Sequence, residues 1–208
     1  MRKILYIHGM GGGADSRIPS ILQECLSYPV IVRTYDFDPE VAAEQIASWV
    51  EEISPDLIIG ESLGALHALR TRDIPLIFVS PALNASYYFE VLAWLALIPG
   101  VTRIFDKIYK PRNGDRQKLH FTHRVLRKYR SHRKRAFMTE RGSTSENRVF
   151  AFFGTGDHYR KSGIVSIRTW KKHFGNTFEM YQGTHFMEEE FVRTILVQKV
   201  ETFLSDNK

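Results

Sequence analysis

The sequence predicts an α/β domain built on a mostly parallel, doubly wound sheet of about six strands. Two observations predict it: short runs that are almost wholly apolar, and intervening segments whose apolar residues recur at helical spacing. Strands with so little polar alternation are usually covered by helices on both faces. Because ligands bind at the carboxyl ends of the strands in such sheets, the residues that follow each strand are the first candidates for function.

Strands and helices alternate along the chain. Pro39 suits the first turn of a helix, and the glycine-rich run after His8 ends the first strand. Strands are predicted at 3–7, 30–32, 57–59, 76–79, 149–153 and 177–181, and helices at about 18–26, 39–53, 63–69, 164–174 and 188–204.

A long insertion separates the fourth strand from the fifth. Residues 84–147 are too many for a simple loop, so we expect this segment to be helical and to form a cap over the strand ends. With this cap, residues 1–208 form one predicted domain, since a hydrophobic content of 43% suffices for one sizeable core.

The net charge of +6 is concentrated in the insertion. Residues 103–141 carry fourteen basic and three acidic side chains, a net charge of +11, which leaves −5 for the rest of the chain. Charge runs are usually solvated helix surface, so nucleic acid is not an expected partner. We expect this basic half of the insertion to lie further out than the apolar half and to attract anionic substrates.

Composition argues against several other classes of protein. The most apolar run, 87–98, contains Glu90 and is shorter than the roughly 20 residues that cross a bilayer. The first apolar run is too short for a signal peptide, which predicts a cytoplasmic protein. Cys25 is the only cysteine, so an internal disulfide is excluded and no thiolate cluster can hold a metal.

The segment Gly60-Glu61-Ser62-Leu63-Gly64 matches the pattern G-x-S-x-G. An apolar strand precedes it and a helix follows, which is the setting in which a serine on a strained strand-to-helix turn acts as a nucleophile. Glycine is needed on both sides because a Cβ there would crowd the turn. The alternative is a serine that only caps the helix.

A serine nucleophile needs a base, and the chain has eight histidines. His185 is favoured because it lies in the turn between the sixth strand and the last helix, after Ser62 in the chain. His158 is the rival, and His67 is expected to pack or to face solvent. The histidines expected to be solvated side chains are His120, His123, His132 and His173.

The acid that orients the base is predicted to be Asp157, which follows the fifth strand through a glycine-containing turn. The order Ser62, Asp157, His185 is that of the α/β-hydrolases. Asp36 and Asp38, after the second strand, are the alternatives, but they would place the acid before the nucleophile.

A tetrahedral intermediate also needs two N–H donors for its oxyanion. We expect Leu63 to supply one and Met10, in the glycine-rich turn, to supply the other. This turn lacks the Lys-Ser/Thr ending of a Walker motif and the G-x-G-x-x-G spacing, so a nucleotide is not expected. No metal or organic cofactor is expected, because acyl transfer through serine needs neither.

These motifs resemble the small single-domain α/β-hydrolases of the YqiA and YcfP type, a group of esterases. The similar segments are 4–9, 60–64, 79–82, 154–157 and 183–186. The resemblance implies the α/β-hydrolase fold, a catalytic triad of Ser62, Asp157 and His185, and activity on carboxylic esters. Ala65 stands where the family often has a further glycine, and the insertion is longer and more basic than the family leads us to expect.

The motifs together predict a serine hydrolase that cleaves a small-molecule carboxylic ester or thioester through an acyl-enzyme on Ser62. Tyr88, Leu92 and Trp94, in the apolar half of the insertion, are the expected substrate-binding residues, with ordinary core packing as the alternative. A thioesterase or peptidase would use the same chemistry, whereas a dehalogenase would need a carboxylate at position 62. The alternative function is a non-catalytic protein whose basic cap binds nucleic acid or an anionic membrane.

Overall fold

A six-stranded parallel sheet organises the chain. The structure, a computed structural model, describes residues 2–71, 73–109, 114–141 and 149–205. Its strands lie in the order β2-β1-β3-β4-β5-β6, and every neighbouring pair is parallel. This confirms the predicted fold class. The strands are β1 (Ile4–Ile7), β2 (Val30–Val32), β3 (Leu57–Glu61), β4 (Leu76–Val79), β5 (Val149–Gly154) and β6 (Phe178–Tyr181).

Helices fill the connections largely as the sequence predicts, but the short helix at Tyr159–Ser162 was not predicted and the last predicted helix is interrupted by a π-helical turn. Pro39 begins the second helix, and the Asp38 side chain caps it by accepting a hydrogen bond from the Glu40 N–H. The helices are α1 (Arg17–Cys25), α2 (Pro39–Ile53), α3 (Gly64–Ala68), α4 (Ala85–Leu95), α5 (Val101–Ile108), α6 (His123–Arg141), α7 (Tyr159–Ser162), α8 (Ile167–Phe174), α9 (Glu189–Phe191) and α10 (Val197–Ser205), with a π-helical turn (Val192–Leu196) between the last two.

Both faces of the sheet are buried, which explains why its strands read as continuous apolar runs. Successive residues of β1 enter different cores: Tyr6 packs with residues of α1 and α10, whereas Leu5 packs with residues of α2, α3, α6 and α8. The carboxyl ends of all six strands therefore remain as one edge on which loops can meet.

The basic helix α6 packs onto the body of the domain, so the expectation that the whole basic half lies further out is wrong. Leu126, Tyr129 and Ala136 are fully buried. The Tyr129 hydroxyl donates a 2.7 Å hydrogen bond to the Phe37 carbonyl, and Lys128 pairs with Asp38. Charge counting overlooked the apolar stripe of this amphipathic helix.

Helix α4 lies along α6. Arg130 pairs with Glu90 at 2.6 Å, and the Arg133 Nε donates to the Leu83 carbonyl at 2.6 Å. Residues 110–113 and 142–147 of the insertion lie outside the described residues. That residues 84–147 cap the strand ends stays a prediction.

Four buried rings form a row that ends at His132 on α6. His8 stacks on Tyr35 with ring centroids 4.3 Å apart, Tyr35 lies 4.8 Å from His67, and His67 lies 4.6 Å from His132. His67 therefore packs in the core. The expectation that His132 is solvated is wrong, because its side chain is completely buried by the packing of α6.

We predict that this row makes stability fall between pH 6.5 and pH 5. Burial lowers the pKa of His8 to about 4 and, with Arg70 and Arg135 nearby, that of His132 to about 3. The unfolded chain, whose histidines titrate near 6.5, therefore binds more protons in this window, and each buried histidine contributes a slope of up to about 1.4 kcal/mol per pH unit.

Urea unfolding at several pH values from 5 to 6.5 checks this prediction. His132→Phe should flatten the dependence of unfolding free energy on pH. His120→Phe is the control and should keep the slope, because His120 is exposed. An unchanged slope in His132→Phe would contradict the argument.

Candidate active site

Ser62 lies on a strained turn directly after β3. Its φ angle is 50°, in the left-handed region that side chains with a Cβ rarely adopt. Two hydrogen bonds to the chain around the end of β4 hold it: the Ser62 N–H donates to Val79 at 2.9 Å, and the Ala82 N–H donates to the Ser62 carbonyl at 3.0 Å. The turn is therefore fixed in part by bonds to the neighbouring chain, beside the local bond from the Ala65 N–H to the Ser62 carbonyl at 3.2 Å.

The glycines on either side of this turn have no room for a side chain. A Cβ on Gly64 would lie 2.3 Å from the Ile7 carbonyl oxygen, at the end of β1. A Cβ on Gly60 would lie 3.0 Å from the Phe78 ring and 3.1 Å from the Ala65 Cα. Glycine thus allows α3 to start close against the sheet.

Ser62, His185 and Asp157 form one hydrogen-bonded chain. The Nε2 atom of His185 lies 2.9 Å from the Ser62 Oγ, and its Nδ1 atom lies 2.9 Å from the Asp157 Oδ2. Since an ionised carboxylate can only accept, Nδ1 carries the proton and Nε2 is free to accept one from the serine hydroxyl. The structure therefore brings together the three residues that the sequence singled out, from the ends of β3, β5 and β6.

The Asp157 side chain is fully buried. Burial alone would raise the pKa of this carboxyl group, but hydrogen bonds from the His185 ring and from the Tyr159 N–H, the latter at 2.8 Å, outweigh it, and the pKa is lowered. Asp157 is consequently ionised at neutral pH and holds the imidazole in the tautomer described above.

The loop that carries His185 folds back over the end of β5. The Gly156 N–H donates to the Gly183 carbonyl at 2.9 Å. A Cβ on Gly154 would lie 2.4 Å from the Thr184 carbonyl oxygen, so only glycine permits this approach. The two loops that supply the acid and the histidine are thereby joined through their backbones.

Side chains from elsewhere hold the other side of the histidine loop. The Arg17 guanidinium, on α1, donates to the carbonyls of Phe186 and Met187 at 2.6 and 2.7 Å. The Glu188 carboxylate accepts from the Thr184 N–H at 3.0 Å. Sequence reasoning missed both residues. A carboxylate three residues after the histidine was a local signal, but nothing near Arg17 pointed to a contact across 169 positions.

The glycine-rich turn after β1 lies against Ser62. A Cβ on Gly9 would come within 3.1 Å of the Ser62 Cβ, so this backbone packs directly against the serine. In the part of the chain that the structure describes, the Met10 and Leu63 N–H groups donate to no protein acceptor. Their role as oxyanion donors stays a prediction.

Solved structures with the same architecture are numerous. A monoacylglycerol lipase of Paleococcus ferrophilus aligns over 97% of this chain and 93% of its own, with a TM-score of 0.62 and 18% identity. A variant of the haloalkane dehalogenase DatA of Agrobacterium tumefaciens aligns over 98% of this chain and 90% of its own, with a TM-score of 0.64 and 11% identity. A structure from a study of Nitrososphaera gargenis carboxylesterases aligns over 99% of this chain and 92% of its own, with a TM-score of 0.57 and 13% identity. This chain has the α/β-hydrolase fold. At such identities the likeness shows the fold alone.

Searches by sequence add no nearer relative. No family model matches the chain, and no curated protein matches it. The resemblance to the YqiA and YcfP type therefore stays a prediction, while the wider α/β-hydrolase architecture is confirmed by structure.

The rival residues for the base and the acid lie elsewhere in the structure. The His158 ring packs on Tyr159, and its centroid lies 6.2 Å from that of His185. Asp36 accepts a hydrogen bond from the Asp38 N–H, and Asp38 in turn caps α2 and pairs with Lys128. Among the described histidines, it is His185 whose ring is hydrogen-bonded to both Ser62 and Asp157.

The expected substrate-binding residues lie on α4 in three different settings. Leu92 packs against the core. The Tyr88 hydroxyl donates to the Ser162 carbonyl, in α7. Trp94 is largely exposed and touches the His123 ring edge-on. Binding of substrate by these three residues stays a prediction.

Two absences hold for the described parts of the chain. They contain no group of three or more His, Cys, Asp or Glu side chains placed to hold a metal ion. They also contain no helix long and apolar enough to cross a membrane.

The hydrogen bond between His185 and Asp157 predicts a distinctive proton NMR signal. An imidazole Nδ1–H that is buried against a carboxylate exchanges slowly and should resonate far downfield of other side-chain N–H groups. Asp157→Asn should remove or strongly shift that resonance. Asp36→Asn is the control, since Asp36 contacts a backbone N–H and not the ring. A downfield signal that survives in Asp157→Asn would contradict the assigned contact.

Proposed function

We propose that this protein is a serine hydrolase that cleaves a carboxylic ester or thioester through an acyl-enzyme formed on Ser62. The observation that carries the proposal is the continuous hydrogen-bonded chain from the Ser62 Oγ through His185 to the ionised Asp157, with 2.9 Å at each step. A serine hydroxyl acquires nucleophilic strength when a positioned base can take its proton.

The proposed reaction moves one proton between Ser62, His185 and the leaving group. As the Ser62 Oγ attacks the substrate carbonyl carbon, its proton moves to the His185 Nε2, and Asp157 stabilises the resulting imidazolium. The Met10 and Leu63 N–H groups would bind the oxyanion. When the tetrahedral intermediate collapses, the bond to the leaving alkoxide or thiolate breaks and Nε2 returns the proton to that group. Water then repeats the sequence on the acyl-enzyme and releases the carboxylic acid.

The expected substrate is a small-molecule ester. The lipase and the carboxylesterase among the structural neighbours support this choice, although they share only the fold with this chain. Dehalogenation is disfavoured despite the dehalogenase neighbour, because that reaction on this fold would need a carboxylate where this chain has Ser62. A thioesterase or peptidase would use the same three residues and differ in the pocket.

Reaction with a fluorophosphonate probe tests whether Ser62 is activated. The full-length protein should be labelled, and mass spectrometry of the digested protein should locate the adduct on Ser62. Ser62→Ala should not be labelled, and His185→Ala should be labelled far more slowly because no base takes the proton. Labelling of Ser62→Ala equal to that of the parent would refute the proposal.

Steady-state hydrolysis of p-nitrophenyl acetate or butyrate tests the base. Ser62→Ala and His185→Ala should each lower kcat by roughly 10⁴ to 10⁶, because the three residues act as a unit. His158→Ala is the matched control and should change kcat little, since His158 bonds neither Ser62 nor Asp157 in the described structure. The reverse ranking of the two histidines would move the base to His158.

The same assay tests the acid. Asp157→Asn should lower kcat by about 10⁴, because an amide favours the wrong imidazole tautomer. Asp36→Asn should have little effect on turnover. A larger loss in Asp36→Asn than in Asp157→Asn would place the acid after β2.

A further inference from the structure

Exposed apolar residues lie on α4, on α5 and in the short connection between them. The most exposed of them are between 53% and 66% exposed, which is unusual for large aliphatic and aromatic side chains. These residues define the outer apolar surface and are Val91, Trp94, Leu97, Ile98, Ile104 and Ile108.

Helix α4 contributes apolar side chains on two opposite sides. Phe89 and Ala93 are buried against the core, yet Val91 and Trp94, which point away from it, are also apolar. A surface helix of a globular protein normally turns polar residues to solvent. Core packing therefore accounts for only one side of α4.

Helix α5 is attached by few contacts. Phe105 lies 5.5 Å from the Phe121 ring, and Tyr109 lies 4.7 Å from the same ring. No residue of α5 is buried, and Ile104 and Ile108 project from it one turn apart. The helix thus presents an apolar stripe that the described chain does not cover.

Contacts place both helices beside the start of α6. Glu90 pairs with Arg130, and the Trp94 ring touches His123, so α4 runs antiparallel to α6 and its last turn lies near the first turn of α6. Phe121, which anchors α5, is two residues before α6. The outer apolar surface and the beginning of α6 are therefore neighbours.

Basic side chains lie on α5 and on the first turns of the neighbouring helix α6. Arg103 and Lys107, on α5, and Arg124 and Arg127, on α6, are exposed and form no ion pair with a described residue. Lys128 and Arg130, by contrast, are neutralised by acidic partners. On α5 the two basic residues each precede an exposed isoleucine, so cationic and apolar stripes run side by side, and with the exposed Asp106 the helix keeps a net charge of +1.

We propose that this surface binds anionic lipid bilayers, with α4 and α5 lying in the plane of the interface. Their apolar side chains would enter the boundary of the acyl chains, while Arg103, Lys107, Arg124 and Arg127 would meet the lipid phosphates. Aliphatic side chains such as Ile104 and Ile108 add nothing to the recognition of nucleic acid. A second copy of the chain would bring like charges together, whereas an anionic bilayer complements both stripes.

Sedimentation of the full chain with vesicles tests the proposal. Vesicles of phosphatidylcholine with phosphatidylglycerol should bind the protein, and vesicles of phosphatidylcholine alone should bind it weakly. The double variant Ile104→Ser with Ile108→Ser should lower the partition coefficient by about tenfold or more. Arg124→Gln with Arg127→Gln should have a similar effect that disappears at high salt.

Matched controls separate this surface from general effects. Val41→Ser removes an exposed apolar side chain of α2, and Arg168→Gln with Lys172→Gln removes two exposed charges of α8; neither should change vesicle binding. Circular dichroism and thermal melts confirm that each variant folds. Ser62→Ala should bind vesicles like the parent, so a failure of the hydrolase proposal leaves this result intact.

Three outcomes would overturn the proposal. The first is no binding to anionic vesicles, or equal binding by the Ile104→Ser, Ile108→Ser variant. The second is a dimer in light scattering that the same variant converts to a monomer, which would make the surface a self-association site. The third is tight binding of RNA, measured by fluorescence anisotropy, by a protein that does not bind vesicles.

Discussion

The return of the His185 loop across the sheet is the interaction on which the site depends. Strands β3 and β6 are three strand spacings apart, which is roughly 14 Å at about 4.8 Å per strand, so the turns after them would not meet by themselves. The loop after β6 closes this gap by lying over the end of β5, where Gly154 leaves room for the Thr184 carbonyl and Gly156 bonds to Gly183. A side chain at position 154 would push the imidazole away from Ser62.

The position of His185 also determines the electrostatics of the site. Asp157 is buried, and a buried carboxylate is costly unless hydrogen bonds compensate for lost water. The His185 ring and the Tyr159 N–H supply two such bonds. The bond that keeps Asp157 ionised is thus the bond that orients His185, and the stability of one group depends on the position of the other. Arg17 and Glu188 fix the loop from its other side, so the ring has little freedom to leave this position.

Local patterns predicted most of the fold and the three linked residues, because each lies in a short motif at a strand end. Ser62 is flanked by two glycines, Asp157 follows a glycine turn, and His185 precedes the last helix. Arg17 could not be predicted, since its partners lie across the sequence and it carries no local pattern. The burial of His132 was missed for another reason: the density of charge in α6 concealed an apolar stripe that includes Leu126 and Ala136.

The insertion between β4 and β5 has two structurally different parts. Helix α6 completes the core on one face of the sheet, and its burial of Tyr129 and His132 ties it to α2 and α3. Once α6 and the inner side of α4 have closed this core, the outer side of α4 makes little contact with the domain beyond that of Trp94 with His123, yet it stays apolar. Exposed apolar side chains that lie close together often mark a site of interaction with another molecule. The lipid surface proposed above would explain why Val91, on α4, and Leu97 and Ile98, just after α4, are not polar.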